Sequence, residues 1–137
     1  VKLSNTSEYA LRILSYMARK PELQYSAKSL IDNLKISDKY LRRIMTDLTK
    51  AGFVRSIQGR EGGYEFAKPT SEITLSAIVE TIEGMQKYTG CALGFEKCSD
   101  ENPCVMHEIW VPVRVGFLAA FTGKTLNDFD FSVNFKF

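Results

Sequence analysis

Apolar residues along the first fifty positions recur with the period of helices. Ala10, Ile13, Leu14 and Met17 stand at i, i+3, i+4 and i+7, the spacing of one buried face. Asn5 with Glu8 three residues later has the form of a capping box at the start of that helix, and Pro21 closes it. Ala27, Leu30, Ile31 and Leu34 repeat the spacing in a shorter segment that opens at Ser26, and residues 33–36 read as a tight turn. Ser37 then suits the N-cap of a third helix with Leu41, Ile44, Met45 and Leu48 as its stripe and Gly52 as the residue just past its end. Residues 53–57 are strand-like, residues 58–63 form a glycine-rich turn, and residues 64–67 read as a second strand. Two short helices joined by a tight turn and followed by a hairpin make a winged helix-turn-helix. Its second helix enters a major groove, and its wing lies on backbone or minor groove.

The pattern changes after Pro69 and Thr70. Leu75, Ile78, Val79 and Ile82 mark a helix from near Thr74 to Gly84, and residues 85–103 read as loop. Asn102-Pro103 is a helix-start signal, so a long helix is expected over residues 104–122, kinked at Pro112. Ile109, Trp110, Val111, Val113, Val115, Phe117, Leu118 and Phe121 lie on more than one of its faces. A chain of 137 residues can hardly bury all of them, which points to a subunit interface. At the end, Phe129, Phe131, Val133, Phe135 and Phe137 alternate with Asp130, Ser132, Asn134 and Lys136. This is the period of a strand with one buried face, paired with a dimer mate or laid across a groove; a tail ordered only by packing contacts is the other reading. The expected fold is mainly α with a small β wing: a winged helix-turn-helix DNA-binding domain over residues 1–70, then a sensor loop and long C-terminal dimerisation helix over residues 71–137.

Composition narrows the function. Hydrophobic residues make up 45% and charged residues 25%, ordinary for a globular domain. No run of about 18 apolar residues exists and the first residues lack a secretion-signal pattern, so a cytoplasmic protein with no membrane partner is expected. The net charge of +2 hides an asymmetry. Residues 1–70 carry 13 Lys and Arg against 7 Asp and Glu, and residues 71–137 carry 5 against 9. The basic half suits a polyanion such as double-stranded DNA. Lys39, Tyr40, Arg42 and Arg43 cluster just after the Ser37 cap of the third helix, the end from which recognition helices usually contact bases. Charges on a helix are also commonly a solvated face. The hairpin that follows, with Gln58, Arg60 and Gly62 in its turn, favours DNA reading.

The three cysteines all fall in the acidic half. Cys91, Cys98 and Cys104 are spaced C-x6-C-x5-C, with His107, the only histidine, three residues further on. Thiolates are soft ligands that favour zinc or iron–sulfur clusters, and the spacing lacks the C-x2-C pair of ordinary zinc sites. Separate thiols, buried or reactive, are the other reading. No paired catalytic carboxylates or phosphate loop appear, and Gly59-Arg60-Glu61-Gly62-Gly63 is not a P-loop, so an enzyme is not expected.

Several stretches together resemble one family. They are Leu3-Ser4, Tyr9-Ala10-Leu11-Arg12, Ile36-Ser37-Asp38-Lys39-Tyr40-Leu41, Leu48, Ala51-Gly52-Phe53-Val54-Arg55-Ser56, Gly62-Gly63-Tyr64, Ala67-Lys68-Pro69, Ile73-Thr74-Leu75, Glu83-Gly84, the cysteine triplet and Lys124-Thr125-Leu126. Over about residues 2–128 the chain resembles the IscR/NsrR-type regulators, bacterial winged-helix transcription factors that sense through an iron–sulfur cluster. The resemblance implies a homodimer on a pseudo-palindromic operator. It implies that Cys91, Cys98 and Cys104 hold a [2Fe–2S] or [4Fe–4S] cluster, with His107 or the partner subunit's Glu8 as the remaining ligand. The first cysteine interval is six residues where the family usually has five, and Gln58 stands where the family commonly has an arginine. The expected function is a DNA-binding regulator sensing redox, nitric oxide or iron–sulfur status. Structural zinc or a metal-free thiol switch is the alternative.

Overall fold

The computed structural model describes residues 2–59, 62–97 and 99–137. Helix α1 spans Asn5–Ala18 and buries Ala10, Ile13, Leu14 and Met17 completely. Its cap is Ser4, whose hydroxyl accepts the Ser7 N–H at 3.1 Å. The expected Asn5–Glu8 capping box is therefore not formed. Asn5 is already helical, and Glu8 turns back to pair with Lys2 at 3.5 Å.

Helix α2 (Ala27–Leu34) is capped by Ser26 and α3 (Asp38–Lys50) by Ser37, each serine accepting an N–H three residues on. Between them Lys35 adopts a left-handed conformation (φ 55°), which turns the chain within a few residues. Leu41, Ile44, Met45 and Leu48 of α3 are all fully buried. The helix ends in a Schellman motif, with the Phe53 N–H on the Leu48 carbonyl, the Gly52 N–H on the Thr49 carbonyl, and Gly52 at φ 84°. That geometry delivers the chain directly into the hairpin.

Strands β1 (Val54–Ile57) and β2 (Gly63–Phe66) pair antiparallel, with Val54 opposite Phe66 and Ile57 opposite Gly63. The second strand starts one residue earlier than the alternation suggests. Its other edge is taken by Tyr25, which exchanges two backbone hydrogen bonds with Tyr64, both 2.8 Å. Gly63 permits this approach: a Cβ there would lie 2.2 Å from the Tyr25 carbonyl oxygen.

A 3-10 turn (Thr70–Glu72) leads to α4 (Leu75–Ile82), capped by Thr74. A four-residue helix, α5 (Gln86–Thr89), interrupts the segment expected to be all loop. The last helix, α6, spans His107–Thr122 and is continuous through Pro112. It begins three residues later than the Asn102-Pro103 signal indicates, because Cys104 is held in the preceding loop against Cys91. Beyond α6, the Leu126 N–H bonds the Ile73 carbonyl and the Leu75 N–H bonds the Lys124 carbonyl, both at 3.0 Å. Leu126 thereby joins the core formed by α1 to α4 and the wing. A smaller cluster of Val79, Met85 and Tyr88 packs with Leu3, Leu11, Phe117, Leu118 and Phe121.

Of the two readings of the tail, the strand is absent among the described residues 129–137 and the packed tail is what forms. The Asp130 carboxylate accepts the Ser132 N–H at 2.9 Å, an Asx turn that breaks the extended run. The tail instead folds onto α1. The Phe137 ring meets Tyr16 edge-on at 5.7 Å, and the Arg19 guanidinium lies 5.1 Å from the Phe137 ring centre. No helix among the described residues is long and apolar enough to cross a membrane.

Candidate nucleic-acid interface and cysteine site

The stripe that buries one face of α3 sets what the opposite face presents. Lys39, Arg42 and Arg43 are exposed, and Ser37 stands exposed at the cap. Thr46 and Lys50 continue the same face at helical spacing; the period that identified the buried stripe, applied to polar positions, picks them out as well. Arg42 bonds the Asp38 carboxylate at 2.9 Å, and that hydrogen bond raises its already high pKa. Both side chains are more than half exposed, so the pair is easily exchanged for another anion. Tyr40 is half-buried beside them. Its hydroxyl is 2.7 Å from the Thr6 hydroxyl, and its ring stands edge-on to Tyr9 at 5.4 Å, so it ties the start of α3 to α1.

In the wing, Gln58 is exposed and Gly62 is half-buried, its N–H bonding the Gly59 carbonyl at 3.1 Å. A Cβ at residue 62 would meet the Ile57 carbonyl oxygen at 2.3 Å, so this turn excludes a side chain there. Arg60, the basic wing candidate, lies outside the described residues.

Of the cysteines, Cys91 and Cys104 come together with their sulfurs 3.4 Å apart, while Cys98 lies outside the described residues. Cys91 follows α5, where the Trp110 indole N–H donates to the Gly90 carbonyl at 2.7 Å and fastens the loop to α6. The backbone N–H of Leu93 is the main influence holding the Cys91 thiol below its usual pKa. Those of Phe95 and Gly94 and the Cys104 thiol act the same way, against an opposing effect of burial. This stretch curls round the sulfur with Gly94 at φ 82° and its N–H on the Cys91 carbonyl at 3.0 Å. His107 opens α6 with its ring buried, Nε2 2.6 Å from an Asp100 carboxylate oxygen, and its backbone N–H on the Cys104 carbonyl at 3.0 Å. Glu8 sits on α1 in its pair with Lys2. Among the described residues no three His, Cys, Asp or Glu side chains converge closely enough to hold an ion.

Glu83, which the sequence offers only as part of the family signature and with no role, is a buried polar junction. Its side chain is only 9% exposed. One carboxylate oxygen accepts the Ser4 N–H at 2.9 Å, and the other accepts the Tyr88 hydroxyl at 2.6 Å and pairs with Lys87. Burial opposes its charge, yet these donors outweigh burial and hold the carboxyl well below the usual carboxylate range. Tyr88 also donates to the Lys2 carbonyl at 3.1 Å and stacks on Phe117 of α6 at 4.7 Å. A lone glutamate before a glycine carries no periodic signal, so its contacts are read only from its place in the fold.

A helix-turn-helix whose second helix presents a solvent-facing cationic face, followed by a hairpin wing, defines a winged helix-turn-helix DNA-binding protein. The family model described as Rrf2, iron-dependent transcriptional regulator, matches residues 3–129, and the chain belongs to this family. It is 36% identical over 130 residues to the HTH-type transcriptional regulator NsrR of Geobacillus kaustophilus, covering 93% of this chain and 88% of that protein. Among solved structures it is similar to CymR, the global cysteine regulator of B. subtilis, with TM-score 0.76 and 27% identity over 93% of this chain and 95% of that one. It is also similar to T. potens IscR, with TM-score 0.72 and 26% identity over 93% and 85%. The family resemblance and the fold class expected from the sequence agree with these matches. The chain is a DNA-binding transcriptional regulator; these relatives are named as regulators, not enzymes.

Proposed function

We propose that this regulator acts as a homodimer whose affinity for a pseudo-palindromic operator is set by an iron–sulfur cluster. Cys91, Cys98 and Cys104 would hold it, with His107 or the partner subunit's Glu8 as the remaining ligand. One observation carries the reading. Cys91 and Cys104, thirteen residues apart in sequence, bring their sulfurs within 3.4 Å at the foot of α6, and backbone N–H groups favour the thiolate form of Cys91 that soft metals require. The donor chemistry therefore fits the group. When bound, such a cluster supplies one-electron redox chemistry and a corner that exogenous small molecules can attack.

The chain's own residues translate that occupancy. Trp110 locks the cysteine loop to α6, and α6 presents exposed Ile109, Val113 and Val115 to a second copy. Residues 71–137 then set how far apart two recognition helices are held, each reading a half-site through Ser37, Lys39, Tyr40, Arg42 and Arg43, with Gln58, Arg60 and Gly62 of the wing beside them. Half-sites one helical turn apart lie about 34–36 Å from each other. A coupling of about 1–3 kcal/mol between cysteine site and DNA would change operator affinity roughly 5- to 150-fold.

The test is anaerobic purification with iron and sulfide counts, an absorption spectrum and an operator-binding titration. Iron and sulfide in the wild type, lost in Cys104→Ser, are expected. A colourless, iron-free protein after reconstitution, with DNA binding unaltered, overturns the reading.

The same sulfur contact favours a second reading, a metal-free thiol switch. Two thiols 3.4 Å apart need little movement to form a disulfide, releasing two protons and two electrons to an oxidant such as hydrogen peroxide, which is reduced to water. Thiol counts before and after peroxide separate the two, and zinc in place of iron and sulfide would indicate a structural metal.

A further inference from the structure

We infer that Glu83 is a positioning residue that couples the cysteine loop to the recognition helix, with Tyr88 as its contact on the sensor side and Ser4 as its contact on the DNA side. Only the name of the signal rests on the function proposed above; the coupling itself rests on a chain of contacts. Tyr88 lies on α5, three residues before Cys91, and stacks on Phe117 of α6, so its ring is placed by both elements that frame the cysteine site. Its hydroxyl donates to Glu83 at 2.6 Å and to the Lys2 carbonyl at 3.1 Å. The other oxygen of Glu83 takes the Ser4 N–H at 2.9 Å, and Ser4 is the cap of α1. Within the next turn and a half of α1, Thr6 and Tyr9 hold Tyr40 in the first turn of α3, through a 2.7 Å hydroxyl contact and an edge-on ring pair.

The start of α1 is thus gripped from both sides, by the sensor segment through a buried carboxylate and by the recognition helix through a tyrosine. A charge-assisted hydrogen bond to a backbone N–H is strong and directional, so movement of α5 draws on the Ser4 end of α1. Any rotation there alters the socket in which Tyr40 sits. A purely structural role for Glu83 would need only that the carboxylate be satisfied. It would not require its donors to come from α5 and from the α1 cap at once.

The test uses the full-length wild type, Glu83→Gln and Tyr88→Phe. Hydrogen exchange is followed at residues 4–9 and 38–41 before and after the thiols are alkylated with iodoacetamide. In the wild type, alkylation is expected to change exchange at residues 38–41 by roughly tenfold, within the span of ordinary intersite coupling. In both variants that response should fall to under about twofold, although their unalkylated exchange at residues 38–41 matches the wild type. Tyr88→Phe removes one hydroxyl and keeps the ring stacked, so it decides the matter if Glu83→Gln fails to fold. An equal response in wild type and Tyr88→Phe, or no response at residues 38–41 in the wild type, overturns the inference. The iron content of the unalkylated wild type reports separately on the cluster, so a cluster-free protein that still shows the response sinks the proposed function and leaves the coupling standing.

Discussion

Helices α3 and α6 are of similar length, yet the placing of their apolar residues is opposite. In α3 the apolar positions fall in one stripe, and all four of its members are fully buried by the chain itself. In α6 they run round the helix, and only His107 is buried, while Ile109 is 65% exposed and Val115 54%. A stripe can be satisfied by a single neighbouring layer; a girdle cannot. The contrast teaches where the molecule is complete in itself. The core around α3 closes within one chain, and α6 leaves apolar surface that a second chain is suited to cover.

That contrast can be broken or sharpened by experiment. The largest effect is expected in α3. Ile44→Ala opens a cavity in a closed core and should cost about 2–5 kcal/mol in urea unfolding. A loss under about 1 kcal/mol would mean the core is not closed there. Next, Ile109→Lys with Val113→Lys should leave helix content by circular dichroism unchanged and weaken self-association at least tenfold in sedimentation equilibrium. A wild type that is monomeric at all concentrations would remove the reason for the exposed girdle. On the outer face of α3, Arg43→Ala should leave unfolding unchanged and reduce operator binding, by about 1–3 kcal/mol if it contacts a base. Equal losses on operator and random DNA would make it a phosphate contact instead.

The smallest effect concerns acid. Because the folded-state pKa of Glu83 lies below its ordinary value of 4.5, its contribution to stability is fully present above that pH and is lost as pH falls through and below it. Glu83→Gln should therefore flatten the acid limb of a stability–pH profile, and an unchanged limb would show that the carboxylate carries no such load.

The legibility of the fold follows the same division. Ser26, Ser37 and Thr74 cap the helices that the sequence reading assigned to them, and the α1 and α3 stripes are buried as their periods imply. Local signals and packing agree there. At the start of α1 the serine just before Asn5 takes the cap, and Glu8 pairs with Lys2 in place of closing a box. Helix α5 is a single turn, too short for a period to register. The start of α6 is displaced by a sulfur–sulfur contact thirteen residues across the loop, which no local pattern encodes. In the tail, alternation was real but the Asp130 turn took precedence, and the aromatic rings found α1 instead of a ladder. The cationic face of α3 was visible from spacing, whereas the Glu83 junction, assembled from positions 79 residues apart, was not.

The close approach at Gly63 has a last consequence. Because the hairpin's second strand is laced to Tyr25 at a point where even a methyl group has no room, the wing cannot swivel freely about its own base. It inherits its aim from the segment that feeds α2. Swapping that one hydrogen for any larger substituent would part β2 from Tyr25 and unhinge the arm from the body.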